Sequence, residues 1–263
     1  MSYQTIRLEV ADAVGVITIA RPERLNAAPP RTFDEIRDVV SRVGELGIRA
    51  LVITGEGRAF CSGADLTAED DGQSITGGEG AYKALKNSYN PAILALAQAD
   101  VPIISAVNGV AAGIGCSLAL AADFTLAARS AYFLQAFVNI GLVPDGGASW
   151  MLPRLVGKAR ATEMMLLGER LPAEKAESWG LIYKAVDAEA LMDEAMTLAR
   201  NLAAGPTLAI GMMRKGIADA LEQDFATALA AEAERQRTAA DSADGHEGTL
   251  AFLEKRKANF TGK

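Results

Sequence analysis

The chain has 263 residues, half of them hydrophobic and 22% charged. That length lets one large folded unit bury roughly three quarters of its unfolded surface, and the composition lies away from disordered and collagen-like chains. Its 26 Lys and Arg against 33 Asp and Glu give a net charge of −7, which weighs against nucleic-acid binding unless a basic face is segregated. Cys61 and Cys116 are too few for a disulfide framework and form no Cys-x-x-Cys pair. One histidine, His246, leaves multi-histidine metal sites and Ser-His or Cys-His hydrolysis unsupported.

The first residues, Met1 to Thr5, carry no basic or apolar leader. The apolar stretch from Val101 to Ala122 is interrupted by Pro102, Ser105, Asn108 and three glycines, which suits strand, turn and buried helix rather than a membrane span. A cytoplasmic protein with no membrane association is expected. Ile6 to Val10 and Val14 to Ala20 read as a hairpin ended by Arg21-Pro22. Thr32 and Glu35 read as a capping box, opening a helix whose apolar positions Phe33, Ile36, Val39, Val40, Val43 and Leu46 run to Gly47.

The pattern then repeats. Ala50 to Thr54 is a buried strand, Asp65 to Gly80 a glycine-rich loop, and Ala81 to Ala99 a helix. Pro102 to Val107 is a strand and Ala112 to Ala122 a helix, with further strands at Phe124 to Ala127 and Tyr132 to Phe133. Beyond Leu152 helices dominate, punctuated by Gly168, Gly180 and Gly205-Pro206. Trp150 and Trp179 read as core, and Cys61 and Cys116 as packing residues. The closing segment, Glu254 to Lys263, holds four basic residues against one acid; a solvated tail and an anion contact both remain open for it.

Three motifs stand out: Arg21-Pro-Glu-Arg-Leu-Asn-Ala27, Gly57-Arg-Ala-Phe-Cys-Ser-Gly-Ala-Asp-Leu66, and Ala106-Val-Asn-Gly-Val-Ala-Ala-Gly-Ile-Gly-Cys-Ser-Leu118. Either glycine cluster alone is a tight turn feeding a helix. Their order and spacing together resemble the crotonase (enoyl-CoA hydratase/isomerase) superfamily over essentially the whole chain. The resemblance implies an α/β fold, a crotonase-like spiral of ββα units over residues 1–200, with a helical C-terminal region at 201–263 for covering the active site and for assembly. It also implies an acyl-CoA substrate with no separate cofactor, and a homotrimer or homohexamer.

By position in those motifs, the N–H groups of Ala64 and Ile114 would hold the thioester oxygen, flanked by Ser62, Gly63, Asp65, Leu66, Gly113 and Gly115. Glycines and a helix N-terminus suit that task because they let backbone donors approach a developing oxyanion. Arg24, Ala27 and, from a neighbouring subunit, Lys255 would meet the coenzyme, with surface solvation the alternative for both cations.

Family hydratases carry two glutamates, because adding water needs general acid and base together. Here those positions are Ser117 and Phe137. Asp145, after Pro144, falls where a subset of isomerases carries one acid-base residue, and a single carboxylate suffices to move a proton between carbons. As a bare sequence, Pro-Asp-Gly-Gly is also a good turn. Further stretches, among them Tyr89-Asn-Pro91, Ile140-Gly-Leu-Val-Pro-Asp145 and Phe260-Thr-Gly-Lys263, resemble the isomerases that convert ring-epoxide phenylacetyl-CoA to an oxepin. A Δ3,Δ2-enoyl-CoA isomerase, a generic hydratase, an aryl-CoA dehalogenase using Asp145 as nucleophile, and a non-catalytic or RNA-binding homologue stay open beside that reading.

Overall fold

The computed structural model describes residues 3–67, 69–70 and 73–263. Strands β1 (Ile6–Ala11) and β2 (Val14–Ile19) form an antiparallel hairpin. Asp12 and Ala13 both take positive φ, the twist that suits a two-residue hairpin turn.

Helix α1 spans Pro30–Ser41, starting two residues before the expected cap. The capping box is not formed: Pro30 opens the helix, and the Thr32 hydroxyl is buried without a hydrogen-bond partner among the described residues. Glu35 reaches the N-terminal segment instead, accepting from the N–H groups of Gln4 and Thr5 and from the Thr5 hydroxyl.

From β3 (Ala50–Gly55) onward the chain winds as a coil of strand, strand, helix. Each turn gives one strand to a six-stranded sheet and one to a four-stranded sheet. β3 is followed by β4 (Ala59–Cys61), β7 (Ile103–Val107) by β8 (Val110–Ala112), and β9 (Phe124–Ala128) by β10 (Tyr132–Leu134). β3 and β7 pair parallel and are buried along their whole lengths, so they read as continuous apolar runs. Between β4 and β7 lie the short strands Glu69–Asp70 (β5) and Gln73–Ser74 (β6), helix α2 (Gly77–Ala84), a wide five-residue turn Leu85–Tyr89, and α3 (Asn90–Gln98). Ala68, Asp71 and Gly72 of the expected glycine-rich loop lie outside the described residues.

The expected helix over Ala112 to Ala122 is the shorter α4 (Ile114–Leu120), and its first residue, Ala112, instead ends strand β8. Helix α5 (Ala148–Leu167) kinks at Gly157. β11 (Leu171–Pro172) and β12 (Lys184–Val186), which sequence periodicity missed along with β4, β5, β6 and β8, flank α6 (Ala173–Ser178) and close the two sheets. They are too short to show alternation. Then follow α7 (Leu191–Ala203), α8 (Thr207–Ala220), α9 (Phe225–Ala240) and α10 (Ala243–Leu253). Among the described residues no helix is long and apolar enough to cross a membrane.

The tail is fastened rather than loose. Arg49 donates to Thr207 Oγ1, Gly205 O and Phe260 O, and the buried Asp244 carboxylate accepts the N–H groups of Thr261 and Gly262, each at 2.7 Å. Arg256 pairs with Glu247 and Glu254. Trp150 departs from the core reading, being 38% exposed beneath Arg154 and donating to Glu222, while Trp179 is half-buried, packed against the core with Arg160 and Lys175 over its ring.

Because Thr32 is fully buried with an unpartnered hydroxyl, Thr32→Val should leave stability unchanged or raise it by up to about 1 kcal/mol. Urea unfolding measures this; a loss of about 1 kcal/mol would restore Thr32 as a helix cap.

Candidate active site

Two loops meet at the site, one after β4 and one after β8. Gly63 (φ 121°) and Gly113 (φ 53°) occupy backbone regions that side chains disfavour. A methyl group placed on Gly113 would stand 3.8 Å from Gly63 Cα and 3.8 Å from the Phe137 ring, so the two turns face each other closely. Ala64 follows one glycine, and Ile114 follows the other as the first residue of α4. Neither N–H has a hydrogen-bond acceptor among the described residues. For Ile114 this is the ordinary state of a first helical residue, whose N–H has no carbonyl a turn earlier in its own helix.

The loop holding Ala64 is tied on its other side. Ala28 N–H donates to Gly63 O at 2.8 Å, and Asp65 N–H donates to Ala28 O at 3.1 Å. The Asp65 side chain is buried and bonded to Arg21 at 2.8 Å, and Arg21 also donates to Ala27 O. Burial opposes ionisation of Asp65, but the hydrogen bonds from Thr67 and Arg21 outweigh it and hold the carboxyl below the usual range.

Asp145 closes the opposite wall. Its backbone carbonyl accepts from Ser117 Oγ at 2.9 Å and from Ala148 N–H at 3.1 Å. Gly146, with φ 57°, brings the turn onto α4: a methyl group there would lie 2.4 Å from Ile114 Cδ1 and 2.8 Å from Ser117 Cβ. The side chain has no such support, since among the described residues Asp145 Oδ1 is buried with no hydrogen-bond partner. Desolvation by burial pushes the carboxyl up to about 6.

The space between these walls is a cavity of about 540 Å³. Ser62, Gly63, Ala64 and Leu66 line one side, Gly113, Ile114 and Phe137 another, with Asp145 as the one acid of the described lining. The other expected site residues stand outside it. Asp65 and Ser117 have their polar atoms committed to Arg21, Thr67 and the Asp145 carbonyl, and Gly115 is fully buried against Cys61. Ala27 and Pro144 are half-buried, while Arg24 and Lys255 are exposed. Arg21, Tyr89 and Ile140 lie in stretches that carry the resemblance but, like Leu85, were not expected as site residues; Tyr89, Leu85 and Ile140 line the cavity. Membership of those stretches gives no role to any one residue, and apolar helical spacing, the one signal for Leu85, is not distinguishable there from packing. Cys61 and Cys116 are fully buried, which pushes their thiols up to about 11 and about 12 and leaves them protonated at neutral pH.

The enoyl-CoA hydratase/isomerase family model matches residues 9–263. The chain belongs to that family. It is 44% identical over 264 residues to the 1,2-epoxyphenylacetyl-CoA isomerase of Escherichia coli, covering 97% of each chain, and 44% identical to a probable enoyl-CoA hydratase of Rhodobacter capsulatus, covering 100% of each. A putative enoyl-CoA hydratase from Streptomyces coelicolor has the same fold, with a TM-score of 0.92 at 34% identity over 100% of this chain and 96% of that one. The crotonase fold expected from the motifs is therefore present, and the chain is an enzyme of a family that acts on CoA thioesters.

A carboxyl whose native pKa lies above its unfolded value near 3.8 takes up protons more readily when folded, so its burial costs stability as pH rises from about 4 through about 6. Asp145→Asn should gain stability relative to the parent protein, on the order of 1–2 kcal/mol, between pH 4 and pH 7. Paired urea titrations at the two pH values test this, and a pH-independent difference would contradict it.

Proposed function

We propose that this enzyme is an acyl-CoA isomerase in which Asp145 moves a proton within the substrate while the Ala64 and Ile114 N–H groups carry the charge on the thioester oxygen. The observation that carries the reading is a lone, desolvated carboxyl in an apolar cavity, with Ser117 and Phe137 where a water-adding pair would stand. A carboxyl raised to about 6 is well matched to both taking and returning a proton near neutrality.

In the reaction, the bond from the α-carbon to hydrogen breaks and the proton passes to Asp145. The electron pair moves onto the thioester oxygen, where each backbone donor supplies on the order of 3 kcal/mol. The neutral Asp145 then returns the proton to a different carbon. With the ring epoxide of phenylacetyl-CoA, the carbon–carbon bond beneath the oxygen opens between those steps to give the seven-membered oxepin. Leu66, Ile75, Leu85 and Phe137 keep competing water from the enolate.

Arg24, and Lys255 from a neighbouring subunit of a trimer or hexamer, are the proposed contacts for the coenzyme phosphates, whose charge the −7 protein would otherwise repel. The E. coli relative supports the ring-epoxide substrate. The equally similar R. capsulatus relative makes hydration the reading to be excluded.

The test is turnover of enzymatically generated ring-epoxide phenylacetyl-CoA, a 3-enoyl-CoA and crotonyl-CoA, with products followed by mass and ultraviolet absorbance. Oxepin-CoA should form, with kcat/KM rising as pH passes through about 6. Asp145→Asn should lose at least about 100-fold in rate, and crotonyl-CoA should stay unhydrated. Hydration that survives Asp145→Asn would refute the reading.

A further inference from the structure

Tyr89 ends the wide turn Leu85–Tyr89 and lines the cavity, yet is only 3% exposed. Its ring meets Phe33 edge-on, with centroids 4.7 Å apart, and its hydroxyl donates to Ala28 O at 2.9 Å. Wide turns of this kind inside helices are frequent at functional sites. Here Pro91, which has no N–H to give and would crowd a regular helical turn, stands two residues on, as the second residue of α3.

Ala28 is the residue against which the Ala64 loop is held. A trans peptide directs its C=O and N–H to opposite sides. Ala28 N–H pins Gly63 O, so the N–H of the same peptide, that of Ala64, points away from Ala28 and stands unmated at the cavity wall. The position of Ala28 is set in turn by Tyr89.

We propose that Tyr89 is a positioning residue of the active site, its hydroxyl fixing Ala28 and thereby the aim of the Ala64 N–H. This rests on the role given above to Ala64. The hydroxyl proton is committed to a backbone carbonyl, so Tyr89 acts through the loop and not on the substrate.

Tyr89→Phe keeps the ring against Phe33, and Ala28 O keeps the Asp65 N–H, so no buried acceptor is orphaned and the variant should fold. The readout is the infrared stretch of bound phenylacetyl-CoA carrying ¹³C at the thioester carbonyl, together with kcat and KM on the preferred acyl-CoA. In the parent enzyme the stretch should lie below its value in water. Tyr89→Phe should reverse part of that lowering and reduce kcat about tenfold, with KM within twofold.

Phe33→Leu, which loosens the same ring while keeping the hydroxyl, should lower Tm and leave the band in place. A full lowering retained by Tyr89→Phe with unchanged kcat, or an equal band shift in Phe33→Leu, overturns the role of Tyr89 and leaves that of Ala64 intact. No lowering in the parent enzyme removes the Ala64 reading, and the Tyr89 proposal with it.

Discussion

Two hydrogen bonds hold the loop after β2 against the loop after β4: Ala28 N–H to Gly63 O, and Asp65 N–H to Ala28 O. The placement of the Ala64 N–H depends on that short bridge. It needs Gly63 at a positive φ, so that the chain can turn there, and it needs Asp65 held in place. Arg21 does the latter, reaching both Asp65 and Ala27 from the end of the first hairpin. Asn26 anchors the same loop from below, donating to Glu56 O and Ala59 O while accepting from Arg21 N–H. A backbone donor held this way needs little rearrangement when charge develops opposite it, which is what makes preorganised amides effective.

The charges of the region divide into two kinds. Asp65 is compensated by a cation and two hydroxyl and backbone donors, so it stays ionised and serves as structure. Asp145 has neither, so its ionisation is opposed by its surroundings. A buried and a half-buried aspartate thus end on opposite sides of the ordinary carboxylate range because one has partners and the other has none among the described residues. The Ser117 hydroxyl, which touches the Asp145 backbone carbonyl, shapes the turn without entering the cavity.

Much of this architecture was readable in advance. β-branched runs marked β2 and β3, and the motif order pointed to the crotonase fold, to the paired loops and to Asp145. What escaped was whatever depends on distant partners. Thr32 and Glu35 have the spacing of a capping box, but Pro30 already starts the helix and Glu35 finds better donors in Gln4 and Thr5. Val110–Ala112 shows no strand signal in the sequence because three small or apolar residues carry no period; only pairing with β4 and β10 makes it a strand. Arg21 and Arg24 are indistinguishable as residues of one motif, yet one is turned inward to Asp65 and the other is exposed. Tyr89 is an aromatic in an apolar helix until the fold puts Ala28 beneath its hydroxyl.

The central claim is that this cavity draws a proton from the carbon beside a thioester, using one carboxyl and two backbone donors. Incubating the enzyme with phenylacetyl-CoA in D₂O and following the α-hydrogens by proton NMR tests that step alone, without ring opening or product release. The account predicts deuterium at the α-carbon at a rate that rises with pH through about 6. An enzyme that turns over acyl-CoA thioesters but leaves those hydrogens unexchanged would contradict it.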